Sequence, residues 1–512
     1  MIFVVSGGTI RFLLGIDVGT GGTRAVVIDE NGKMLVSATE EHAPFTGAHP
    51  GWAEQDPLDW WRAATLAIRK TLNSNGVVAD SIACVGFSGQ MHGAVLLDES
   101  DQVVRPALIW CDQRTERQVE ELTRTIGRDR FIDLTSNPPL TNFTLTKLLW
   151  VRENEPRNWD RVRKIMLPKD YIRFRLTGES AIDVADASGT LLLDVAKRAW
   201  AVEVLTKTDI DHKLLPALFE SQEICGKISA QGASATGLRS GTPVVAGAGD
   251  QAAGAVGIGI STPGTVSATI GTSGVVFAAT DRPALDPKGR LHTFCHAIPN
   301  RWHVMGVTQA AGLSLRWFRD QFGSRQEDGR DAYDRLTEEA AKIPEGSDGV
   351  FWAPYLMGER TPHLDPNARA AFIGLTATHT RAHLIRAILE GVAYSLKGTF
   401  EILEEIGVPT HRIRLGGGGA RSALWRQIQA DIYDHEVETV AAEEGAAYGA
   451  AILAGVGVGC WSTVDQACES VVQTAVRVRP DPTTSQVMQR GYQTYQRIYP
   501  ALRNIAAEDA TQ

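Results

Sequence analysis

Short apolar runs that end in glycine-rich turns recur along this chain. Phe12 to Val18 runs into Gly19-Thr20-Gly21-Gly22-Thr23, Arg24 to Asp29 follows, and Glu30-Asn31-Gly32 leads into Lys33 to Thr39. Runs of this length between glycine turns predict a β-meander. Pro57 to Ser74 carries Trp60, Ala64, Leu66, Ala67, Ile68 and Leu72 broadly at helical spacing, and Ser81 to Gly86 reads as a short buried strand. Strands and helices continue to alternate, so the class is α/β. A second β-turn-β unit, Thr265 to Ile270, Gly271-Thr272-Ser273-Gly274 and Val275 to Ala278, repeats the first at a distance of 252 residues, about half the chain. That spacing predicts two similarly built halves facing each other, with two unrelated hairpins as the plainer reading. The join is expected between Asp250 and Thr265, where glycines are dense. Gln326 to Arg330 reads as a polar surface loop, and the tail beyond Ser485 as a closing helix with a frayed end from Ala506.

Composition narrows the class. With 512 residues the prior is two to four domains. The 43% hydrophobic content supports sizeable cores and excludes a disordered chain. The net charge of −9 disfavours a general nucleic-acid or anionic-membrane binder. Any phosphorylated ligand must therefore be held by local groups. The six cysteines show no CxxC and no zinc-like spacing, which suits reduced thiols in a cytosol. No apolar run approaches the ~18 residues of a membrane span, and the start lacks the basic region of a signal peptide. The expectation is a soluble cytoplasmic enzyme.

Five segments could carry chemistry. Asp17 ends a strand before the turn Gly19 to Arg24, whose backbone N–H groups and hydroxyls suit phosphate oxygens; Asp17 could hold Mg²⁺ or simply cap the hairpin. Gly271-Thr272-Ser273-Gly274 is a second such turn, and two facing clamps would suit a nucleoside triphosphate. Ile413 to Leu415 enters Gly416-Gly417-Gly418-Gly419, followed by a helix with Leu424, Trp425, Ile428 and Ile432. A backbone without side chains there can lie against an adenine or accept phosphate, or serve as a flexible turn. Asp250 follows Val244 to Gly249 where a small-residue helix begins. It could be a general base or an N-cap, and the residues alone favour the cap. Gly247 to Ala252 also has the form GxGxxA, but no ribose-binding acid in a βαβ context follows, and no P-loop occurs. Ser88 to Gly93, with Trp110 to Arg114, offers polar groups at a strand end for sugar hydroxyls, or pairs that only brace each other.

Together these segments resemble the FGGY carbohydrate kinases over nearly the whole chain. The resemblance also runs through Thr146 to Val151, Leu167 to Tyr171, Asp183, Asp186 to Thr190, Gly249 to Gly254, Tyr355 to Pro362, Phe372 to Leu375, Gly416 to Ser422 and Gly445 to Ala450. It implies an actin-like (ribonuclease H-like) fold, with a catalytic cleft between domains 1–256 (sugar and base) and 257–512 (nucleotide) and the terminal helix packing back on the first. It implies phosphoryl transfer from ATP with Mg²⁺ to a sugar hydroxyl. By position, Asp250 becomes the general base and Asp17 the metal-associated acid. Gly19, Thr20, Gly21, Thr23 and Arg24 form one phosphate clamp, and Gly271, Thr272 and Ser273 the other. Gly417, Gly418, Gly419 and Ala420 become the adenosine wall. Met91, His92, Trp110, Asp112, Asp250 and Gln251 become the sugar site. Gln90-Met91-His92-Gly93 resembles the members acting on the 5-hydroxyl of D-xylulose, although many of those carry Asn where Gln251 stands. Ribulokinase-, gluconokinase- and glycerol-kinase-like members are the alternatives, and actin-like or chaperone-like ATPases a further one. The family implies a homodimer. Glu359 and Arg360 either touch ligand or brace the cleft, with bracing favoured. Met1 to Arg11 extends beyond the usual family start.

Overall fold

The computed structural model describes residues 11–74, 76–323, 331–441 and 445–509. The leader before Arg11 and the polar stretch Gln326 to Arg330 lie outside the described residues.

Two seven-stranded sheets organise the chain. In the first the order is Ile224–Lys227, Pro243–Val245, Ile82–Gly89, Phe12–Val18, Gly22–Asp29, Met34–Glu41, with Ala248–Gly249 pairing with Ile82–Gly89 off this path. The second runs Thr474–Val478, Val437–Val440, Thr410–Gly417, Gly264–Ile270, Gly274–Thr280, Trp302–Thr308, His292–Cys295. The sense of pairing also matches. Phe12–Val18 is antiparallel to Gly22–Asp29 and parallel to Ile82–Gly89. Gly264–Ile270 is antiparallel to Gly274–Thr280 and parallel to Thr410–Gly417. Two unrelated hairpins would not share five successive neighbour relations, so the halves are built alike.

Local chemistry explains the elements. The helix Pro57–Leu72 starts where Asp56 accepts from Leu58 N at 2.9 Å and Pro57 occupies the first position. Trp60, Ala64, Ala67, Ile68 and Thr71 form its buried stripe, while Leu66, expected among the core positions, falls on the outer face and is exposed. The six cysteines are free, with Cys84, Cys225, Cys295 and Cys468 buried.

Two helices cross between the halves. The bridge helix, Asp250–Gly257, follows the first sheet, and the return helix, Gly445–Gly457, comes from the second half. The return helix packs on Phe12–Val18 and Ile82–Gly89 of the first sheet and on the bridge helix. This corrects the expectation for the tail. Met488, Tyr492, Tyr495 and Ile498 of the C-terminal helices lie in the core of the second half, because their aromatic rings fill space against Tyr394. The helix that returns to the first sheet is rich in glycine and alanine, and only such residues permit the approach. A Cβ on Gly15 would lie 1.9 Å from the Ala447 carbonyl oxygen, and one on Gly86 2.0 Å from that of Ala450.

Candidate active site

The two hairpin turns are closed in the same way. Gly19 N donates to Gly22 O at 3.0 Å, and Gly271 N to Ser273 O at 2.9 Å. The second turn is docked on a helix start: Gly312 N donates to Gly271 O at 2.8 Å and Leu313 N to Thr272 O at 3.0 Å. Gly271 and Thr272 are exposed. In the first turn Thr20 is fixed from two sides. Trp110 Nε1 donates to its Oγ1 at 2.9 Å, and Gln55 Nε2 to its carbonyl at 2.8 Å. Gln55 also accepts from Gln90 Nε2 at 3.0 Å and so joins the turn to the Ser88–Gly93 stretch. No sequence signal pointed to Gln55.

Thr23 departs from its expected place in the clamp. It lies in the strand Gly22–Asp29, is fully buried, and its Oγ1 sits 2.8 Å from His42 Nε2. Its hydroxyl is thus turned away from the open turn. Arg24 stands opposite Asp17 in the strand pairing.

Asp17 and Asp250 form the electrostatic centre. Burial raises the Asp17 pKa, with Ser88 and the charge of Arg24 pulling the other way. Burial and then the like charge of Asp17 push Asp250 up to about 7. Asp250 is not the helix cap. Gly249 is the cap residue and Asp250 the first helical residue; its carboxylate is hydrogen-bonded by Gln251 and lines the cleft.

Behind Asp250 lies a buried charge network; Lys169, Asp170, Asp183 and Asp186 fall in the family-like segments, and Arg173 had no sequence signal. Lys169 Nζ is 2.5 Å from Asp170, 2.6 Å from Asp183 and 3.3 Å from Asp186, and Arg173 is 2.9 Å from Asp170. All five side chains are fully buried. Arg173 also donates to the carbonyls of Ala246 and Ala181. Asp186 reaches the bridge-helix start, since a Cβ on Gly249 would lie 3.1 Å from its Oδ1.

Met91 packs at the same point, its Cγ 2.8 Å from that Gly249 position. His92 follows at φ 67°, with Nδ1 2.8 Å from Gly189 O. A carbonyl can only accept, so Nδ1 carries the proton and Nε2 is an acceptor. Burial lowers the His92 pKa to about 3, so the ring is neutral. Trp110 is 40% exposed. Asp112 is fully buried and its carboxylate is occupied. It accepts from Ala53 N at 2.6 Å and from Arg114 Nη2 at 2.7 Å, with Arg114 Nε and N at 3.0 Å. Its visible work is to position Arg114 over Trp52, 3.7 Å from guanidinium to ring centre.

In the second half, Thr410–Gly417 ends in Gly417 at φ 70°, where a Cβ would meet Ile270 O at 2.4 Å. Only glycine fits that conformation and that approach. Gly418 and Gly419 then line a cavity of about 530 Å³ with Gly271, Thr272, Ser422 and Trp425. Arg316 and Tyr333 share this cavity and had no sequence signal. A second cleft of about 750 Å³ runs from Asp250 and Gln251 past Gly417, Gly418 and Ala420. The four-glycine turn thus stands between this cavity and the cleft lined by Asp250.

Two like-built α/β halves, each carrying a glycine-and-hydroxyl hairpin turn, define an actin-like ATPase fold. The chain belongs to the FGGY family of carbohydrate kinases: that family's N-terminal domain matches residues 12–257 and its C-terminal domain residues 266–458. It is 36% identical to a xylulose kinase of Bacillus subtilis over 97% of this chain and 98% of that one. It is 40% identical to a xylulose kinase of Escherichia coli over 86% and 89%. A crystal structure of a xyloylose kinase from Brucella ovis superposes with a TM-score of 0.89 at 35% identity, covering 97% of this chain and all of that one. No helix among the described residues is long and apolar enough to cross a membrane.

Proposed function

We propose that this chain transfers the γ-phosphoryl group of ATP to the 5-hydroxyl of D-xylulose, with Asp250 as general base. The observation that carries this reading is Asp250 itself, a carboxylate with a pKa of about 7 at the cleft end of the bridge helix, in a chain similar over its length to xylulose kinases. Phosphoryl transfer needs positioning and charge stabilisation more than covalent catalysis. Gly19 to Gly21 and Gly271 to Ser273 supply backbone and hydroxyl donors to the phosphates from two sides. Gly418, Gly419 and Ala420 face the adenosine. Met91, His92, Trp110 and Gln251 orient the sugar. Asp250 accepts the hydroxyl proton as the oxygen attacks.

The residues present fit Mg²⁺. Asp17 Oδ1 is buried without a hydrogen-bond partner, and it faces a second carboxylate. Mg²⁺ is commonly bound by one or two carboxylates together with substrate phosphates and water. When bound, Mg²⁺ supplies positive charge against the phosphate oxygens. A homodimer is part of the same reading and is checked by sedimentation.

The test is ADP release with MgATP against D-xylulose, L-ribulose, D-gluconate, glycerol and no sugar. A clear preference for D-xylulose is expected. Preference for another sugar would discard the D-xylulose assignment, and turnover indifferent to every sugar would discard the kinase reading.

A further inference from the structure

Arg360 is the exception among the partly or fully buried arginines. Arg114, Arg173, Arg386 and Arg414 each pair with a carboxylate, at 2.7, 2.9, 2.6 and 2.8 Å. Among the described residues the Arg360 guanidinium makes no hydrogen bond, ion pair or ring contact, although it is only partly exposed. Its neighbour Glu359 acts on it through space but makes no hydrogen bond or ion pair with the guanidinium. Glu359 Oε1 accepts from Gln309 N at 3.0 Å and Arg360 N at 2.8 Å, and Oε2 from Thr308 Oγ1 at 3.3 Å. Burial also pushes Glu359 up to about 8, so it is mostly neutral at pH 7. A desolvated cation without a partner costs stability. Such a cost persists where a ligand supplies what the protein lacks.

The backbone around Arg360 is fixed. Glu359 N donates to Asp365 O at 2.8 Å, and Thr361 N to Val307 O at 2.9 Å. Val307 and Thr308 end the strand Trp302–Thr308, and Thr308 lies opposite Gly274, the residue that closes the second phosphate turn. On its other side, the charge of Arg360 reaches the imidazoles of His92 and His292. Both rings meet Phe143 edge to face, at 5.0 and 5.7 Å between ring centres. Arg360 therefore stands between the phosphate turn of the second half and the His92 wall of the first.

We propose that Arg360 binds the sugar, donating from its guanidinium to ketose oxygens and closing the sugar site from the second half. The inference rests on the D-xylulose reading above. The chemistry on the two sides is complementary. A sugar hydroxyl can donate to His92 Nε2 while hydroxyl and carbonyl oxygens accept from Arg360. The bracing role favoured by the sequence would require a partner that Arg360 lacks.

The test compares wild type, Arg360→Gln and Arg360→Lys by steady-state kinetics and thermal unfolding. Loss of a charge-assisted hydrogen bond corresponds to about 10- to 100-fold in affinity. We expect the KM for D-xylulose to rise by about that factor in Arg360→Gln, with a smaller rise in Arg360→Lys. The KM for ATP should stay within about twofold and the Tm should be unchanged or higher. A sugar KM within about twofold of wild type overturns the inference, and a lowered Tm with an unchanged sugar KM assigns Arg360 to bracing. If wild type prefers another sugar, the D-xylulose reading fails. The same variants assayed with that sugar then decide the role of Arg360.

Discussion

The two helices that cross between the halves meet the sheets in opposite ways. The return helix lies against the first sheet with backbone nearly touching backbone, at Gly15 against Ala447 and Gly86 against Ala450. The bridge helix meets the second sheet only in part: Ala255 and Ile258 pack near Phe277 and Val275, and the rest of that side is an open cleft. Its Gly254, Ala255 and Ile258 face Ser267, Thr269 and Leu415 across the 750 Å³ cleft. The first sheet and both helices thus form one close-packed body, while the cleft is bounded by the second sheet. Close-packed seams switch between discrete arrangements and do not deform gradually. A change in cleft width is therefore cheaper on the second-sheet side. Narrowing there would bring the second turn toward Asp250 and exclude water.

The largest expected effect is at the cleft end of the bridge helix. Asp250→Ala should lower sugar phosphorylation by about 10²- to 10⁴-fold while ATP still binds. Turnover within about tenfold of wild type would remove Asp250 as the base. The same residue should be a stability liability. Its folded pKa of about 7 lies above the ordinary carboxylate value, so the folded state increasingly resists ionisation as pH climbs from about 4 to 7. Asp250→Asn should accordingly raise the Tm more at pH 8 than at pH 5, checked by calorimetry at both.

Next comes the buried charge network beneath that helix. Lys169→Met leaves Asp170, Asp183 and Asp186 with only Arg173 to offset them. Breaking a buried ion pair typically costs about 3–5 kcal/mol. Denaturant unfolding should show a loss of that order, and a loss under about 1 kcal/mol would mean the network is solvated or already neutral.

A pair of glycines tests the seams directly. A Cβ on Gly449 of the return helix would lie 1.8 Å from Ala253 O, so Gly449→Ala must push the two helices apart. Overpacking of this kind costs about 1–3 kcal/mol. Gly254 of the bridge helix faces the cleft, where the nearest atom to an added Cβ is 4.0 Å away. Gly254→Ala should gain up to about 1 kcal/mol of helix propensity. Opposite signs in the unfolding midpoints support the contrast, and equal losses would break it.

Much of this was legible in the chain. The two hairpins, the strand before the four glycines and the start of the bridge helix are local patterns, set by apolar runs and turn residues that need no tertiary context. What was illegible depends on contacts between distant segments. Gln55 matters only because Trp60, Gln90 and Thr20 converge on it. Thr23 looked like a turn hydroxyl because the sequence does not show that His42 waits beneath it. Asp112 looked like a sugar ligand because its saturation by Ala53 and Arg114 is a product of the fold. The return helix was missed because small residues at a seam resemble small residues in any helix.

The smallest expected effect is a shift in pH dependence, and it bears on whether Asp17 and Asp250 share one electrostatic centre. With Asp250 at about 7, kcat/KM for the sugar should fall about tenfold per pH unit below that value and level off above it. Asp17 contributes to this position as a like charge, second to burial. Removing its charge lets Asp250 ionise more readily, so Asp17→Asn should move the acid limb to lower pH, though not to the ordinary carboxylate range because desolvation remains. The midpoint is read from the shape of the profile, so a reduced overall rate does not obscure it. An unmoved or raised midpoint would mean that Asp17 and Asp250 do not sense each other. The paired carboxylates would then have to be assigned separate tasks.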